Sequence, residues 1–224
     1  MTEPTYRVDR KLILADWPIL LLLIANLVFS IWVYPKLPAQ VPVHFGANGV
    51  ANRFGPAWEG AFMTPLMAIG LYFLMLYAPI IDPRRRNYAN FPGALKLFRW
   101  ALVMVLTVIH LTTVWADLGN AVRINMVVPL AIGALFALLG NQMGRIRHNY
   151  FMGIRTPWTL ANEQVWTQTH RFAGRIWVVC GLGMMLAALL PAPYGSWLMV
   201  VAILATVLGS VLYSYVAYRR VTKE

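Results

Sequence analysis

Six long apolar stretches, separated by polar connections, dominate the pattern of the chain. A membrane-spanning helix needs about 20 predominantly apolar residues, and the six stretches have roughly that length. Open strands are excluded in lipid, because their free backbone groups would lack hydrogen-bonding partners. The pattern therefore predicts six spanning helices: Leu12–Tyr34, Ala61–Ile81, Leu97–Ala116, Ile124–Gly140, Phe172–Leu190 and Ser196–Tyr218.

The Lys and Arg residues are distributed unevenly over the connections. Of 19 such residues, all but Lys36, Arg53 and Arg123 lie in the two termini and in the second and fourth connections, Arg99 among them. Because positively charged connections stay in the cytoplasm, this distribution predicts that both termini are cytoplasmic. Residues 35–60 then form an extracytoplasmic loop, and residues 141–171 form a cytoplasmic loop that leads into the fifth helix. Trp and Tyr residues near the predicted helix ends, Tyr88 among them, fit an aromatic belt at the headgroups.

The composition agrees with a protein in a lipid bilayer. Hydrophobic residues make up 59% of the chain and charged residues only 12%, whereas a soluble domain has about 25% charged residues. We therefore expect an all-α, polytopic helical bundle that forms a single membrane domain over residues 1–224. Anchoring of the loops accounts for the net charge of +11, so no direct binding of nucleic acid is expected.

Few residue types suited to catalysis or metal binding are present. Cys180 is the single cysteine, the four histidines are scattered, and no spacing typical of zinc ligands occurs. Motifs such as a Ser/His/Asp pattern, paired carboxylates or HExxH are also missing. We expect no metal, no cofactor and no enzymatic activity.

Three ionisable residues lie within predicted spans, where such groups are candidates for function. Asp16 is near the cytoplasmic start of the first helix and Asp117 near the outer end of the third, so both are expected to reach water. His110 lies deeper in the third helix. It is either a group that handles a proton or a ligand, or a neutral imidazole bonded to a neighbouring helix.

The loop at 35–60 contains a predicted hairpin. Its prolines favour extended backbone, and Asn48-Gly49 is a strong turn signal because both residues tolerate positive φ. We expect Val41–Phe45 to pair with Val50–Phe54, as a lid over the helix ends or as a surface that binds something outside. His44 is either a group that responds to pH or a hydrogen-bonding residue of the loop. The candidate residues here are Pro42, His44, Phe45, Asn48, Gly49 and Trp58.

The loop at 141–171 contains a predicted amphipathic helix. Thr156 followed by Pro157 is typical of an N-cap with proline at the first helical position. Apolar residues then recur at helical spacing, so one helix is expected to run into the fifth span, either as an interfacial anchor or as part of a polar cluster or binding site. The candidate residues are Asn149, Gly153, Arg155, Thr156, Trp158, Asn162, Trp166, Thr169, His170 and Gly174.

Two stretches of sequence resemble a known family. N-Y-F-M-G-I-R-T-P-W-T and V-W-T-Q-T-H-R-F-A-G are similar to the signature of the SdpI family, which falls on Asn149, Gly153, Ile154, Arg155, Thr156, Trp158, Trp166, Thr169 and Gly174. P-x-x-V-P-V-H-F-x-x-x-G resembles a small domain of unknown function that often precedes it, matched at Pro42, His44, Phe45 and Gly49.

The resemblance implies an immunity protein of the bacterial inner membrane. Such a protein protects the cell against a membrane-active toxin peptide that arrives from outside. The namesake of the family also holds a repressor of the winged-helix type at the membrane, so a repressor is an implied partner inside. Since family membership does not fix function, these partners are expectations.

A transporter is the alternative interpretation. Six spans divide into two halves of three with opposite orientation, and each half has its long loop after its first helix. The segment from His44 to Trp58 then corresponds to the segment from Tyr150 to Trp166, as in a faint inverted repeat, which is typical of ion-coupled carriers.

Overall fold

A computed structural model describes residues 5–46, 49–191 and 193–223. Within these ranges the chain forms eight α-helices, two short 3₁₀ helices and one two-stranded antiparallel sheet. The helices are α1 (Arg10–Ala15), α2 (Trp17–Val33), α3 (Ala57–Ile81), α4 (Pro92–Asp117), α5 (Ile124–Met143), α6 (Pro157–Ala161), α7 (Glu163–Ala187) and α8 (Tyr194–Val221); the strands are β1 (Gln40–Phe45) and β2 (Ala51–Pro56). The predicted all-α bundle with a short hairpin is confirmed.

Five of these helices are long and apolar enough to cross a membrane, among the described residues: α2 with the turn that follows it, α3, α4, α5 and α8. The sixth predicted span, Phe172–Leu190, lies largely in α7. That helix has 25 residues, but its first half carries Glu163, Arg171 and Arg175 and is therefore more polar than the other five. Six spans and the N-in, C-in orientation stay predictions.

The outer surface of the bundle is apolar along helical stripes. On α2 the exposed residues recur at three- and four-residue spacing, as do those on α8: Leu21, Ile24, Val28 and Ile31, and Val201, Leu204, Leu208 and Leu212. A water-soluble helix buries such a stripe in the core. Here the stripes face outward, as lipid requires, while the polar side chains Asn26, Ser30, Thr206, Ser210 and Ser214 are buried on the same two helices.

The first predicted span is interrupted at Asp16. Helix α1 is capped by Asp9, whose side chain accepts a hydrogen bond from Leu12 N. Asp16 then serves as C-cap of α1 and N-cap of α2, and Pro18 follows in the first turn of α2. A proline is tolerated there because the first helical N–H groups have no partner within the helix.

The predicted hairpin is confirmed with a small shift. β1 pairs with β2 in antiparallel register, Val41 opposite Gly55, with irregularities on either side of His44. Gly49 in the turn has a φ of +76°, which a glycine adopts without strain. Asn48, the other predicted turn residue, lies outside the described residues.

Helix α3 connects the two ends of the bundle. It begins directly after β2 and ends at Ile81, next to Asp82, whose carboxylate reaches the backbone of Tyr150 in the second long loop. At 1.5 Å per residue, its 25 residues separate the ends by roughly 37 Å. We name them the hairpin end and the motif end, and we name residues 144–162 the motif loop.

The predicted helix after Thr156 starts where expected but does not continue into the next span. Thr156 caps α6 in a capping box with Thr159. Asn162 then has extended backbone, with φ −143° and ψ 125°, and its side chain accepts hydrogen bonds from the N–H groups of Gln164 and Val165 at the start of α7. The prediction of one continuous helix was wrong, because Asn162 acts as a second N-cap.

Helices α5 and α7 approach each other at glycines. A Cβ added at Gly181 would lie 2.6 Å from the backbone oxygen of Gly133, and one added at Gly174 would lie 2.7 Å from that of Gly140. Small residues at a helix crossing allow this close backbone approach in membranes. The crossing fixes α7, which carries much of the motif, against α5.

Candidate functional site

A buried polar cluster at the motif end joins α3 to the motif loop. Asp82 is buried, and its Oδ2 accepts hydrogen bonds from the Tyr88 hydroxyl at 2.6 Å and from Tyr150 N at 2.8 Å. Its Oδ1 accepts from Arg84 N at 2.7 Å. Burial and the hydrogen bond to Asp82 raise the pKa of Tyr88, which therefore remains a neutral donor. These bonds supply the partners that a buried carboxylate needs.

Asn149 holds the turn of the motif loop. Its Oδ1 accepts from the N–H groups of Phe151 and Met152 at 2.9 and 2.7 Å, and its Nδ2 donates to Arg147 O. The Tyr88 hydroxyl lies 2.9 Å from the same Oδ1. Because the side chain is fully buried and both its polar atoms are bonded, Asn149 is a structural centre of the loop.

Gly153 and His170 fit together one turn further along the loop. Gly153 has a φ of +98°, and a Cβ there would lie 2.3 Å from His170 Nε2. That nitrogen accepts a hydrogen bond from Ile154 N at 3.0 Å, while Nδ1 faces Trp166 O at 2.9 Å. The two contacts define a neutral imidazole with its proton on Nδ1. The glycine of the motif is thus needed both for its backbone and for its missing side chain.

Trp166 lies between two imidazoles. Its ring stacks on His170 with centroids 4.0 Å apart and on His148 at 4.9 Å. Its indole N–H donates to Ile146 O at 2.9 Å. Burial, followed by the positive charge of Arg84, lowers the pKa of His148, so both stacked histidines are neutral at physiological pH.

The motif loop is also attached to α8. The Thr156 hydroxyl donates to Ser214 Oγ at 3.0 Å, and the Trp158 ring packs against Tyr215 with centroids 5.1 Å apart. Arg155 between them is exposed, and its Nη1 donates to Tyr150 O at 2.7 Å. The loop thus contacts α7, α8 and the C-terminal end of α3, and its three arginines, Arg145, Arg147 and Arg155, are exposed.

The structure brings together most of the predicted motif residues. Asn149, Gly153, Arg155, Thr156, Trp158, Asn162, Trp166 and His170 lie in or against the motif loop. Thr169 is fully buried on α7, and no partner for its hydroxyl is found within the described residues. Gly174 lies apart from this cluster, at the crossing of α5 and α7.

Lowering the pH should destabilise the motif end through His170. His170 lies before the predicted span Phe172–Leu190, and burial lowers the pKa of its imidazole to about 4, against about 6.5 in an unfolded chain. Below about pH 6.5 the His170 imidazole binds a proton in the unfolded chain but not in the folded protein. The free energy of unfolding therefore decreases as the pH falls. The loss is about 2 kcal/mol at about pH 5.

Thermal unfolding of the purified protein at about pH 7.5 and about pH 5 measures this loss. The His170→Gln variant serves as the control, because its amide oxygen can still accept from Ile154 N but does not titrate. We expect the drop in the unfolding midpoint to be smaller in the variant. An equal drop in both proteins would mean that other groups, such as His148, carry the pH dependence.

A cleft at the hairpin end lies between the two halves of the chain. Its volume is about 470 Å³, and α3 and α4 wall it on one side while α5 and α8 wall it on the other. We name it the hairpin cleft. Apolar side chains such as Met63, Val128 and Met199 line it, with an ion pair between Arg53 and Glu59 (2.5 Å) at its edge. Its size and largely apolar lining are typical of a ligand site.

The predicted residues of the first long loop lie at this end. Pro42, His44 and Phe45 line the hairpin cleft, and His44 Nδ1 is 2.6 Å from Asn52 Oδ1 of the opposite strand. Gly49 lies in the turn next to Asn125 of α5. Trp58 is half-exposed in the first turn of α3 and is not among the cleft residues described. The hairpin residues thus form a wall of a site.

The prediction that Asp16 reaches water was wrong. Its side chain is fully buried, and it accepts from Arg99 Nη2 at 2.7 Å, Arg99 Nε at 3.0 Å and Trp100 Nε1 at 3.1 Å, with the Tyr72 hydroxyl at 3.1 Å. Arg99 was interpreted as one of the anchoring cations, but only 3% of its side chain is exposed. The partners that stabilise this buried charge come from α3 and α4, which the sequence pattern does not pair.

His110 matches the interpretation of an imidazole bonded to a neighbouring helix. Its Nε2 lies 3.0 Å from Ser30 Oγ of α2, and Asn26 of α2 donates to Thr107 one turn away on α4. Asp117, also expected to reach water, is only 5% exposed, and neither carboxylate oxygen has a hydrogen-bond partner within the described residues. Both residues hold or face neighbouring elements, and neither lines the hairpin cleft.

Some residues of the site were missed from the sequence. Asp82 and Tyr88 lie beside three arginines and looked like parts of a cytoplasmic connection and an aromatic belt, yet both are buried in the motif cluster. The sequence offered one indication of this burial: Asp82 is a single acidic residue in a basic segment, directly after an apolar run. The sequence around Gly140 and Gly181 does not indicate that they lie at a helix crossing, because the partner of each glycine is on another helix.

Comparisons with known proteins find two family profiles and one similar protein. The sequence profile of the SdpI/YfhL protein family matches residues 145–215, and that of a domain of unknown function (DUF1648) matches residues 21–69. The immunity protein SdpI of Bacillus subtilis is 30% identical over 191 residues, which cover 85% of this chain and 89% of that protein. The chain belongs to the SdpI family. No solved structure matches it.

Each matched region contains one of the two long loops. The SdpI region contains the motif loop from Arg145, α6, α7 and α8 as far as Tyr215. The region of unknown function contains most of α2, the hairpin and the first half of α3. This membrane protein of the SdpI family thus has one matched region that contains the motif loop and one that contains the hairpin.

Proposed function

We propose that this protein is an immunity protein that protects a bacterial membrane against a membrane-active toxin peptide. The observation that carries the proposal is the similarity to the immunity protein SdpI, which extends over 85% of the chain and includes both structured ends. A match confined to the apolar helices would support only a shared membrane environment. Here both the hairpin and the motif loop are included.

The proposed topology has the hairpin end outside the cytoplasmic membrane and both termini inside. The distribution of Lys and Arg supports it, because the motif end and the termini carry nearly all the cations. In this orientation the region around residues 35–60 meets the toxin peptide, and the region 141–171 faces the cytoplasm. The whole chain functions as one membrane domain.

The proposed relay to the cytoplasm uses the exposed part of the motif end. Arg155 and the arginines at 84–86 lie beside the buried cluster, which provides a cationic surface for a protein partner. A repressor of the winged-helix type held there would be released or retained as the bundle changes state. Such a relay requires two arrangements of the bundle with different affinity for the partner.

Protection is tested by membrane depolarisation of toxin-sensitive bacterial cells. The probe is the toxin peptide to which the Bacillus subtilis protein gives immunity, added to cells with and without this protein. We expect depolarisation to be strongly reduced by the protein. Unreduced depolarisation, with the protein verified in the membrane, would contradict immunity to this peptide.

The Arg155→Ala variant should lower the protection several-fold if the motif end takes part in it. Arg155 bonds the backbone of Tyr150 and presents a guanidinium at the surface, whereas Arg85 is an exposed member of a run of three arginines. Arg85→Ala is therefore the matched control and should retain protection. Equal effects of the two changes in the depolarisation assay would show that the motif end has no special part.

A small ion-coupled carrier is the second candidate. It is favoured by the position of the hairpin cleft between the two halves, since carriers built from inverted repeats bind their substrates at the interface of the repeats. A structural superposition of residues 17–117 on residues 124–221 after inversion tests this candidate. Halves that do not superpose would exclude the repeat.

A further inference from the structure

The second half of strand β1 and the residue after it lie along the hairpin cleft. Five consecutive residues of this segment, from Pro42 to Gly46, line the cleft. Side chains alternate between the two faces of a regular strand, whereas this strand is irregular on both sides of His44. The unbroken run means that the cleft extends along this segment, and Arg53 of β2 lines it as well.

One edge of β1 has no strand partner. The sheet has two strands, and β1 pairs with β2 along its other side; no further strand occurs within residues 5–46, 49–191 and 193–223. Proteins normally cover, twist or charge an open edge, because its free N–H and C=O groups pair readily with another extended chain. Here the strand borders a cleft of about 470 Å³.

The walls opposite the edge suit apolar side chains. Met63 of α3, Val128 of α5 and Met199 of α8 line the cleft, and methionine side chains adapt to irregular partners. At about 3.3 Å per residue, a run of five residues offers an edge roughly 13 Å long. A peptide segment of about four to five residues in extended form has that length.

We propose that the hairpin cleft binds an extended, apolar segment of a peptide, which pairs with the free edge of β1 as a third strand. Backbone hydrogen bonds to the edge hold the segment, and its inward side chains fill the space between the two halves. The inference rests on the proposed function in one respect: the peptide that binds is the toxin peptide of that proposal. A lipid chain would fill the apolar space but has no backbone groups for the strand edge.

Site-specific photo-crosslinking tests the position of the peptide. A photoreactive amino acid is placed at Met199, which lines the cleft, and in a second variant at Trp197 on the same helix, which is 68% exposed and is not among the cleft residues described. The probe is the toxin peptide named above. We expect adducts with the peptide at position 199 at several times the level at 197. Equal levels, or lipid adducts alone at position 199, would overturn the proposal.

Pairing of the peptide backbone with β1 is tested separately, with N-methylated versions of the toxin peptide. In an extended strand, the N–H groups of alternate residues point to the same side, so single N-methylation along the apolar stretch of the peptide should lower crosslinking at every second position. We expect at least a tenfold loss at the affected positions. A uniform loss, or none, would overturn the pairing with β1.

Filling the cleft separates this proposal from the proposed function. Met199→Trp should reduce crosslinking of the peptide to a photoreactive amino acid at a second cleft position, Met63, and should also reduce protection of cells. Its expression and unfolding midpoint should be unchanged. Trp197→Phe is the control variant. If the parent protein protects and Met199→Trp protects equally, immunity stands and the cleft is not the site. If the parent protein crosslinks the peptide but gives no protection, the cleft stands and immunity fails.

Discussion

Asp16→Leu should be among the most damaging single substitutions in this protein. Among the described residues the carboxylate is the only charged partner of Arg99, and Arg99 Nη1 already lacks a hydrogen bond. Removal of Asp16 leaves a buried, unpaired guanidinium, and breaking a buried pair in this way costs about 3–5 kcal/mol. We expect the unfolding midpoint in detergent to fall by on the order of 10 °C.

The double variant Asp16→Leu with Arg99→Met is the control for this prediction. It removes both charges and keeps apolar volume, a replacement that is often neutral in other proteins. We expect the double variant to recover most of the stability lost in the single one, while Arg99→Met alone remains damaged. Additive losses would mean that the two side chains are not coupled in the way their 2.7 Å contact indicates.

Gly181→Ala should be the second most damaging change, although it adds a single methyl group. The added Cβ would lie 2.6 Å from Gly133 O and 2.6 Å from Ala137 N, both backbone atoms of α5 that cannot rotate away. The helices would have to separate, at a cost near the upper end of the about 1–3 kcal/mol typical of overpacking. The expected fall in the unfolding midpoint is about 6–12 °C.

Gly183→Ala on the same helix supplies the comparison. A Cβ at Gly183 meets nothing within 4 Å, and alanine favours a helix over glycine by about 1 kcal/mol. We expect this variant to unfold at the same temperature as the parent or slightly above it. If both alanine variants behave alike, the close crossing of α5 and α7 does not exist in the protein.

Local features of the fold were predictable because local sequence determines them. The apolar runs located the long helices, Thr156 and Pro157 located the start of α6, and the prolines with Asn48-Gly49 located the hairpin. Each of these signals acts over a few residues, through backbone angles or burial in lipid. The predicted residues of the motif loop came together for the same reason, since most of them are neighbours in the chain.

Pairings between distant residues were not predictable from one sequence. Asp16 and Arg99 are 83 positions apart, and each alone looks like a charge at a membrane surface. Asp82 and Tyr150 are 68 positions apart, and Gly140 and Gly174 meet only once α5 and α7 cross. Asn162 is the local exception: its preference for N-caps was visible, but the continuous apolar spacing around it favoured a single helix.

Most of the motif residues hold the shape of the motif end, and few are free to touch a partner. Asn149, Gly153, Thr156 and His170 all bond or pack against the loop itself. Substitutions that remove these contacts would therefore act on function through the fold of the loop. Arg155, exposed and bonded only through Nη1 in the contacts described, is the better position at which to separate recognition from folding.

The pairing of Asp16 with Arg99 also fixes the order of events during synthesis of the chain, because Asp16 is made before its partner. Asp16 enters the membrane region with the first helices, and its partner follows 83 residues later. At about 5–20 residues per second, the ribosome takes roughly 4–17 s to supply Arg99. During this interval the carboxylate must stay in contact with water or with an insertion factor, and the break between α1 and α2 at Asp16 allows it to remain at the surface. Docking of α4 on α2 is then the step that commits the first half of the chain to its fold.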